Sequence, residues 1–481
     1  MIKTMKSFFI KIYNTMCSLI KKIITYITTR TVYVEVNSYS ELLVAIKEGE
    51  KNISLKNNIV CDDTVNIPHD VIINGHGHSI YSYGERLGFA YDDSTETTDF
   101  HIALSRVEHE DGSDVPSTEK YPDNVGTYRI KVDNDVELIK NKTNYINFSC
   151  GWTAYTFPVL YIKDGYLYFK SQGAEYSLDY DYYQGNHKKY VEYRLVGCNT
   201  DNAYKRYIIN VIDGTLTLNN CIISGGIKGG NINMNGCTVK NCSEYGIYSV
   251  GDVNVYYSKF MNIWKSAVYV KGASLTVESC ILSNINQGRT NYGAIDVDGN
   301  ANISHNTLSD YGSYGIRVGK VKALTEAECP TISVDNNKLE YTKNNGTVTD
   351  TGAIYVAANN KYCLINANNI LDYTGRKNNH AIYCDDGSYN VDVINNLITN
   401  CPNGYAISCR CADPGDPSSS TYRGYGGGKP NTNRTIANNI LESGVWFGGS
   451  TDVEDNGCHY YGNIVEENTG YKSCIENVKY S

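Results

Sequence analysis

The sequence predicts an all-β fold built by repetition, and three observations carry that reading. The 481-residue chain holds 43 Tyr, 43 Gly and only 9 Pro, with Asn in nearly every turn-like stretch, which suits short strands joined by tight turns. From residue 205 onward one phrase recurs: alternating apolar residues, a polar pair, then one or two aliphatics, as in ISVDNNKLEY, CLINANNILDY, VDVINNLITN and RTIANNILES. Aligning these phrases lines up Cys221, Cys237, Ser258, Cys280, Asn306, Asn337, Asn369, Asn396, Asn439 and Asn463. That column predicts a ladder in the turn after a strand.

Stacked Asn side chains hydrogen-bond along the axis of such a ladder, and Cys is a small buried filler. Cys221, Cys237 and Cys280 therefore read as core, and no metal ligand set is assigned. Sixteen Cys in a chain this long do not imply a disulfide framework, which belongs to short secreted chains. A second phrase follows in most coils: GIYSV, AVYVK, GAIDVDG, GIRVG, GAIYVA, HAIYCDD and YAISCRC. Its aligned aliphatics are Ile247, Val268, Ile295, Ile316, Ile354, Ile382 and Ile407. These and the residues two later are expected to face inward, and the alternate positions outward.

Coils of roughly 20 to 30 residues, two aligned strand phrases per coil and an Asn ladder resemble the right-handed parallel β-helix of the pectate-lyase-like superfamily. The resemblance covers about residues 205 to 470. Upstream, residues 39 to 48 have helical spacing and short strand runs follow, which suits a capped entry to the same solenoid. Residues 85–205 lack the coil phrase but hold strand-like runs. The expected organisation is an N-terminal amphipathic heptad helix (1–34), the cap and first coils (35–84), an inserted β subdomain (85–205) and the main β-helix (206–481). Aromatics of the insert, Trp152, Tyr155, Tyr161, Tyr166 and Tyr168, read either as its own core or as a sugar-stacking platform.

Charge narrows the partners. Net charge is -9, and residues 1–34 carry six cations and no acid, leaving about -15 on the rest. A nucleic-acid partner is excluded for the main body. In the N-terminal segment Met5, Phe9, Ile12, Met16, Leu19, Ile23 and Tyr26 form a three-heptad seam. Lys11 and the Lys21-Lys22 pair interrupt any signal-like apolar run. An oligomerising or docking helix, a membrane-surface helix and a helix packed on the β domain all fit that pattern.

The outward column after the aligned aliphatic reads Tyr248, Tyr269, Asp296, Arg317, Tyr355, Tyr383 and Ser408; two residues on come Lys271, Asp298, Asp385 and Arg410. Neighbouring coils lie about 4.8 Å apart, so this is a strip of tyrosines set with acids and bases, suited to a polymeric glycan. Asp296 and Asp298, at i and i+2, are the best-spaced pair for two-carboxylate hydrolysis. Asp385 and Asp386 are neighbours that diverge on a continuing strand. Arg317 beside Asp296 and Arg410 beside Asp385 are expected to keep those acids ionised. The candidate catalytic residues are thus Asp296, Asp298, Asp385, Asp386 and Arg317; the candidate substrate-binding residues are Tyr248, Tyr269, Lys271, Tyr355, Tyr383 and Arg410. Solubilising strand-end acids paired with arginine are the plainer reading of the same residues.

IYCDDGS resembles the Asp-Asp-Gly stretch of bacterial β-helix glycosidases. No Asn-Thr-Asp motif precedes it, and the Gly-His-Gly-His run at 75–78 lies upstream rather than downstream, so His76 and His78 are assigned to a cap turn. The superfamily resemblance implies a polysaccharide partner and either glycosidase or lyase chemistry, a lyase adding Ca²⁺ held near uronate groups. A heptad segment ahead of a β-helix is also similar in layout to phage tailspikes. That similarity implies a homotrimer on a virion or cell surface, with virion partners bound through residues 1–34. A non-catalytic adhesin and a structural virion or surface protein are the alternatives.

Overall fold

The computed structural model describes residues 32–84, 94–116, 118, 119, 121–150, 153–174, 177, 178, 191–198, 203, 204, 207–319, 325–341, 351–357, 360–372, 379–385, 388, 390–401, 404–410, 434–448 and 458–465. Residues 1–31 of the heptad segment, Trp152, Asp386 and the loop 411–433 lie outside them, as does the Arg410 side chain.

The chain is a parallel β-helix whose coils carry three strands, one more than the two aligned phrases suggested. The first phrase spans a strand, a turn and another strand. In one coil the three are Gly293–Val297, Ala301–Ser304 and Thr307–Tyr311. Each pairs in parallel with its counterpart one coil later, Ile295 with Ile316, Ala301 with Ile332 and Leu308 with Leu339. The aligned aliphatics from Ile247 to Ile407 stack in register and are fully buried. So are the residues two later, Ser249, Val270, Val297, Val318, Val356, Cys384 and Cys409. Each buried Val or Ile contributes roughly 1.5–3 kcal/mol, and one apolar column runs the length of the solenoid.

Between the second and third strands the chain turns through a left-handed residue: Asn220, Gly236, Tyr257, Ser279, His305, Asn336, Ala367, Asn395, Asn438 and Gly462 all have positive φ. The next residue is the ladder. Asn306 Nδ2 donates to Asn337 Oδ1 (2.9 Å), Asn337 Nδ2 to Asn368 Oδ1 (3.0 Å) and Asn368 Nδ2 to Asn396 Oδ1 (3.1 Å). The ladder member of that coil is therefore Asn368 and not Asn369, a slip of one residue. Ala367 takes the left-handed position that Asn fills in the neighbouring coils, and Asn369 opens the next strand. A second ladder, unread in the sequence, links Asn284 to Asn262 (2.7 Å) and Asn262 to Asn241 (3.4 Å), all at positive φ.

The helix Tyr39–Lys47 is capped by Ser38, whose side chain accepts from Glu41 N, and buries Leu42, Ala45 and Ile46 in the solenoid core. Strands Val65–Ile67 and Val71–Asn74 pair directly with Tyr207–Asn219. Ser79–Tyr81 likewise pairs with Ile222–Ser224. Everything between is therefore spliced into one junction of successive coils. The spliced segment forms an antiparallel sheet ordered Glu108–His109, Val125–Lys131, Tyr166–Gln172, Thr153–Lys163, Thr143–Cys150, Glu192–Cys198 and Glu96–Thr97. It has its own apolar core around Tyr128, Phe148, Phe157 and Phe169.

That sheet docks on the solenoid at residues 264–291. Ala154 N donates to Arg289 O (3.0 Å), Asn291 N to Thr153 Oγ1 (3.1 Å) and Asn147 Nδ2 to Gly288 O (3.2 Å). Arg289 is 1% exposed, with its guanidinium 3.8 Å from the Phe100 ring centre. Trp264 packs with Tyr145, Val196 and Cys198. Of the insert's expected platform, Tyr155 stacks on Phe157 and Tyr166 lies under Arg129, so both serve its packing.

Candidate functional site

The outward column runs in register as Lys228, Tyr248, Tyr269, Asp296, Arg317, Tyr355, Tyr383 and Ser408. Its two halves differ in exposure. Lys228 and Lys271 are exposed, and Tyr248 and Tyr269 half-buried. From Asp296 onward the expected open groove is covered except at Arg317, whose side chain is 24% exposed: Asp296 is 3% exposed, Tyr355 8%, Tyr383 2% and Ser408 fully buried. Aromatics folded onto the column do this. The Tyr314 ring lies 4.8 Å from Tyr355, and His380 4.4 Å from Tyr383.

The less covered half holds a wall of four packed tyrosines, of which Tyr245 is 7% exposed and Tyr248, Tyr269 and Tyr292 are half-buried. Tyr248 and Tyr269 stand 5.5 Å apart, Tyr245 lies 5.5 Å from each, and Tyr292 lies 5.4 Å from Tyr269 and 5.7 Å from Tyr245. Sequence alternation missed Tyr245, Tyr292 and Tyr314. Just before the aligned aliphatic the small residues Ala267, Ala294, Ala353 and Ala381 are buried as well, so simple alternation does not hold there. The column two residues before the aliphatic, with Tyr245, Tyr314, His380 and Tyr405, was the available signal.

Asp296 lies where this wall meets Arg317. Its Oδ2 accepts from Gly293 N (2.9 Å) and stands 3.8 Å from Arg317 Nη1. Arg317 also donates to Asn291 O and approaches the Tyr292 ring at 5.9 Å. The 286–292 loop that offers this carbonyl is held by Asn286, whose Nδ2 donates to Tyr292 O (2.7 Å), and by Thr153 of the insert. Arg317 does not keep Asp296 an ordinary carboxylate, contrary to the sequence expectation. Burial raises its pKa and outweighs the opposing effects of Arg317 and the Gly293 N–H, while the Asp298 charge adds to the rise.

Asp296 and Asp298 do not stand side by side on one strand. The strand ends at Val297, and Asp298, half-buried in the following bend, accepts from Gly272 N of the preceding coil. It lines a polar cleft of about 440 Å³ with Asp252, Asn300 and Glu328. Gly299 beside it admits no side chain, because a Cβ would lie 1.9 Å from Ala273 O. Among the described residues no group of three or more His, Cys, Asp or Glu could hold a metal ion.

Asp385 belongs to the covered half, 5% exposed, with its Oδ2 accepting from Tyr355 Oη at 2.9 Å. Nearby, His380 Nδ1 and Ser408 Oγ are 2.7 Å apart. Burial lowers the His380 pKa to about 4. The unfolded ring titrates near 6.5, so its neutral form supports the fold fully above that pH, and the support is lost as pH falls through about 4. The loss amounts to about 3 kcal/mol. His380→Gln is expected to flatten the dependence of urea-unfolding stability between about pH 6.5 and 4; an unchanged slope would contradict the assignment.

No protein-family model matches the sequence. A search of curated proteins gives no match. Among solved structures the chain is similar to a glycoside hydrolase at 10% identity and a TM-score of 0.40, covering 89% of this chain and 92% of that one. It is also similar to the Gp54 tailspike of Acinetobacter baumannii bacteriophage AP22, solved with a capsular saccharide: 10% identity, TM-score 0.25, covering 91% of this chain and 78% of that one. The catalytic domain of a GH87 α-1,3-glucanase matches at 10% identity and a TM-score of 0.26 over 80% of this chain and all of that one. The functional reading rests on the chain's own residues.

Proposed function

We propose that the chain binds a polysaccharide along the Lys228–Tyr248–Tyr269 column and hydrolyses it at Asp296. The observation that carries this is the four-tyrosine wall leading into a buried carboxyl whose pKa is raised. Ring faces accept the apolar faces of sugars. A carboxyl that holds its proton above the ordinary range is suited to protonating a leaving glycosidic oxygen. In this reading Asp298 is the second carboxylate, activating water, and Arg317 orients Asp296. Tyr355, Tyr383 and Asp385 support the covered half.

The same reading places the protein outside the cell, on a virion or surface, as a trimer joined through residues 1–34. Size-exclusion chromatography with light scattering is expected to give three times the chain mass; a monomer would remove the coiled-coil element. Binding is tested separately. Tyr248→Ala and Tyr269→Ala are each expected to weaken affinity for the bound polysaccharide about two- to tenfold, the range for one lost ring contact. Titration calorimetry on a panel of capsular and plant polysaccharides measures this, and unchanged affinity in both variants would place the binding surface elsewhere.

A further inference from the structure

We propose that Thr153 is a positioning residue for the acid at Asp296, and that the spliced antiparallel sheet is thereby part of the active site. The inference rests on the reading of Asp296 as the group that protonates the leaving oxygen. The 286–292 loop is bonded to the sheet along its main chain. Arg194 donates to Gln287 O, Asn147 Nδ2 to Gly288 O (3.2 Å), Ala154 N to Arg289 O (3.0 Å) and Asn291 N to Thr153 Oγ1 (3.1 Å). All four sheet residues are buried, Thr153 at 7% exposed.

Thr153 stands at the end of this run that meets the acid. The Asn291 carbonyl accepts from Arg317, whose Nη1 stands 3.8 Å from Asp296 Oδ2. A guanidinium shared between a carbonyl and a carboxyl favours the ionised carboxyl less than one given to it alone. Thr153, by fixing Asn291, keeps Arg317 divided: near enough to orient Asp296, occupied enough to leave its proton in place. Without the hydroxyl the Asn291 N–H loses this acceptor, the loop relaxes, and Arg317 turns to Asp296 and holds it ionised.

The tyrosine of the loop is secured separately. Tyr292 O accepts from Asn286 Nδ2 (2.7 Å), and its ring packs 5.4 Å from Tyr269 and 5.7 Å from Tyr245. Loss of the Thr153 hydroxyl therefore falls on the acid and not on the sugar-binding rings. The loop is fixed from the solenoid side as well. At Gly288 an added Cβ would lie 2.6 Å from Nε1 of Trp264, whose ring is 3% exposed and has no room to give.

The test uses the full-length protein, wild type and three variants, assayed for new reducing ends on the member of the capsular and plant polysaccharide panel that wild type cuts fastest. Thr153→Val, nearly the same shape without the hydroxyl, is expected to lower kcat about 10- to 100-fold, the range for a reacting group moved out of place, with KM unchanged. Thr153→Ser keeps the hydroxyl and is expected to keep kcat. A Thr153 that only fills space gives the opposite order, with Val active and Ser impaired. Gly288→Ala displaces the loop from its other side and is expected to lower kcat likewise; it decides the matter if Thr153→Val does not fold. Wild-type kcat in Thr153→Val or in Gly288→Ala, or a change confined to KM, would overturn the proposal while leaving the Asp296 reading in place. A wild type that cuts no polymer it binds would remove that reading and this proposal with it.

Discussion

Asp296→Asn is expected to lower polysaccharide turnover by at least about 100-fold, the scale of a lost general acid, with affinity for the polysaccharide retained. Stability should respond in the opposite sense with pH. A buried Asp whose folded pKa is raised binds more protons folded than unfolded between its ordinary value and the raised one. Its contribution is therefore full below the ordinary carboxylate range and is lost as pH rises through the raised value. Wild type should accordingly lose stability relative to Asp296→Asn over that rise, measured by urea unfolding across pH. A constant difference between the two would mean that Asp296 titrates like an exposed carboxylate.

The second large effect is on the fold. Asn368 accepts from Asn337 N and Nδ2, both at 3.0 Å, and its Nδ2 donates to Val334 O at 2.9 Å and Asn396 Oδ1 at 3.1 Å. It is 1% exposed, so removal strands buried partners on both sides. Asn368→Ala is expected to cost about 3 kcal/mol, since each orphaned buried polar group costs about 1–3 kcal/mol and the neighbouring coils relax in part. Asn369→Ala, one residue along at a half-buried strand start, is expected to stay within about 0.5 kcal/mol of wild type. Chemical denaturation of the two variants separates the two registers, and equal losses would contradict the ladder as described.

This pair of residues also shows what the sequence could and could not reveal. The inner columns were legible because each coil repeats the same apolar volumes at period two, from Ile247 to Ile407. The ladder was legible except where NANN offers two candidate asparagines and Ala367, not Asn, takes the left-handed turn. The outward row was correctly aligned, but its exposure was not readable. Tyr314 and His380 fold over it from the position two before the aligned aliphatic, which simple alternation assigns to the core. The loop supporting Arg317 is held by Thr153, 138 residues away in the insert. The pKa of Asp296 depended on that burial, which no spacing argument could supply.

The central claim is that a glycan lying on the tyrosine wall is cut at Asp296. Its most direct test incubates wild type and Asp296→Asn with the same panel of polysaccharides and measures new reducing ends. The account predicts release by wild type on at least one polymer, and none above background by the variant, which still binds that polymer. Equal release by both proteins, or no release by wild type from any polymer it binds, would contradict it.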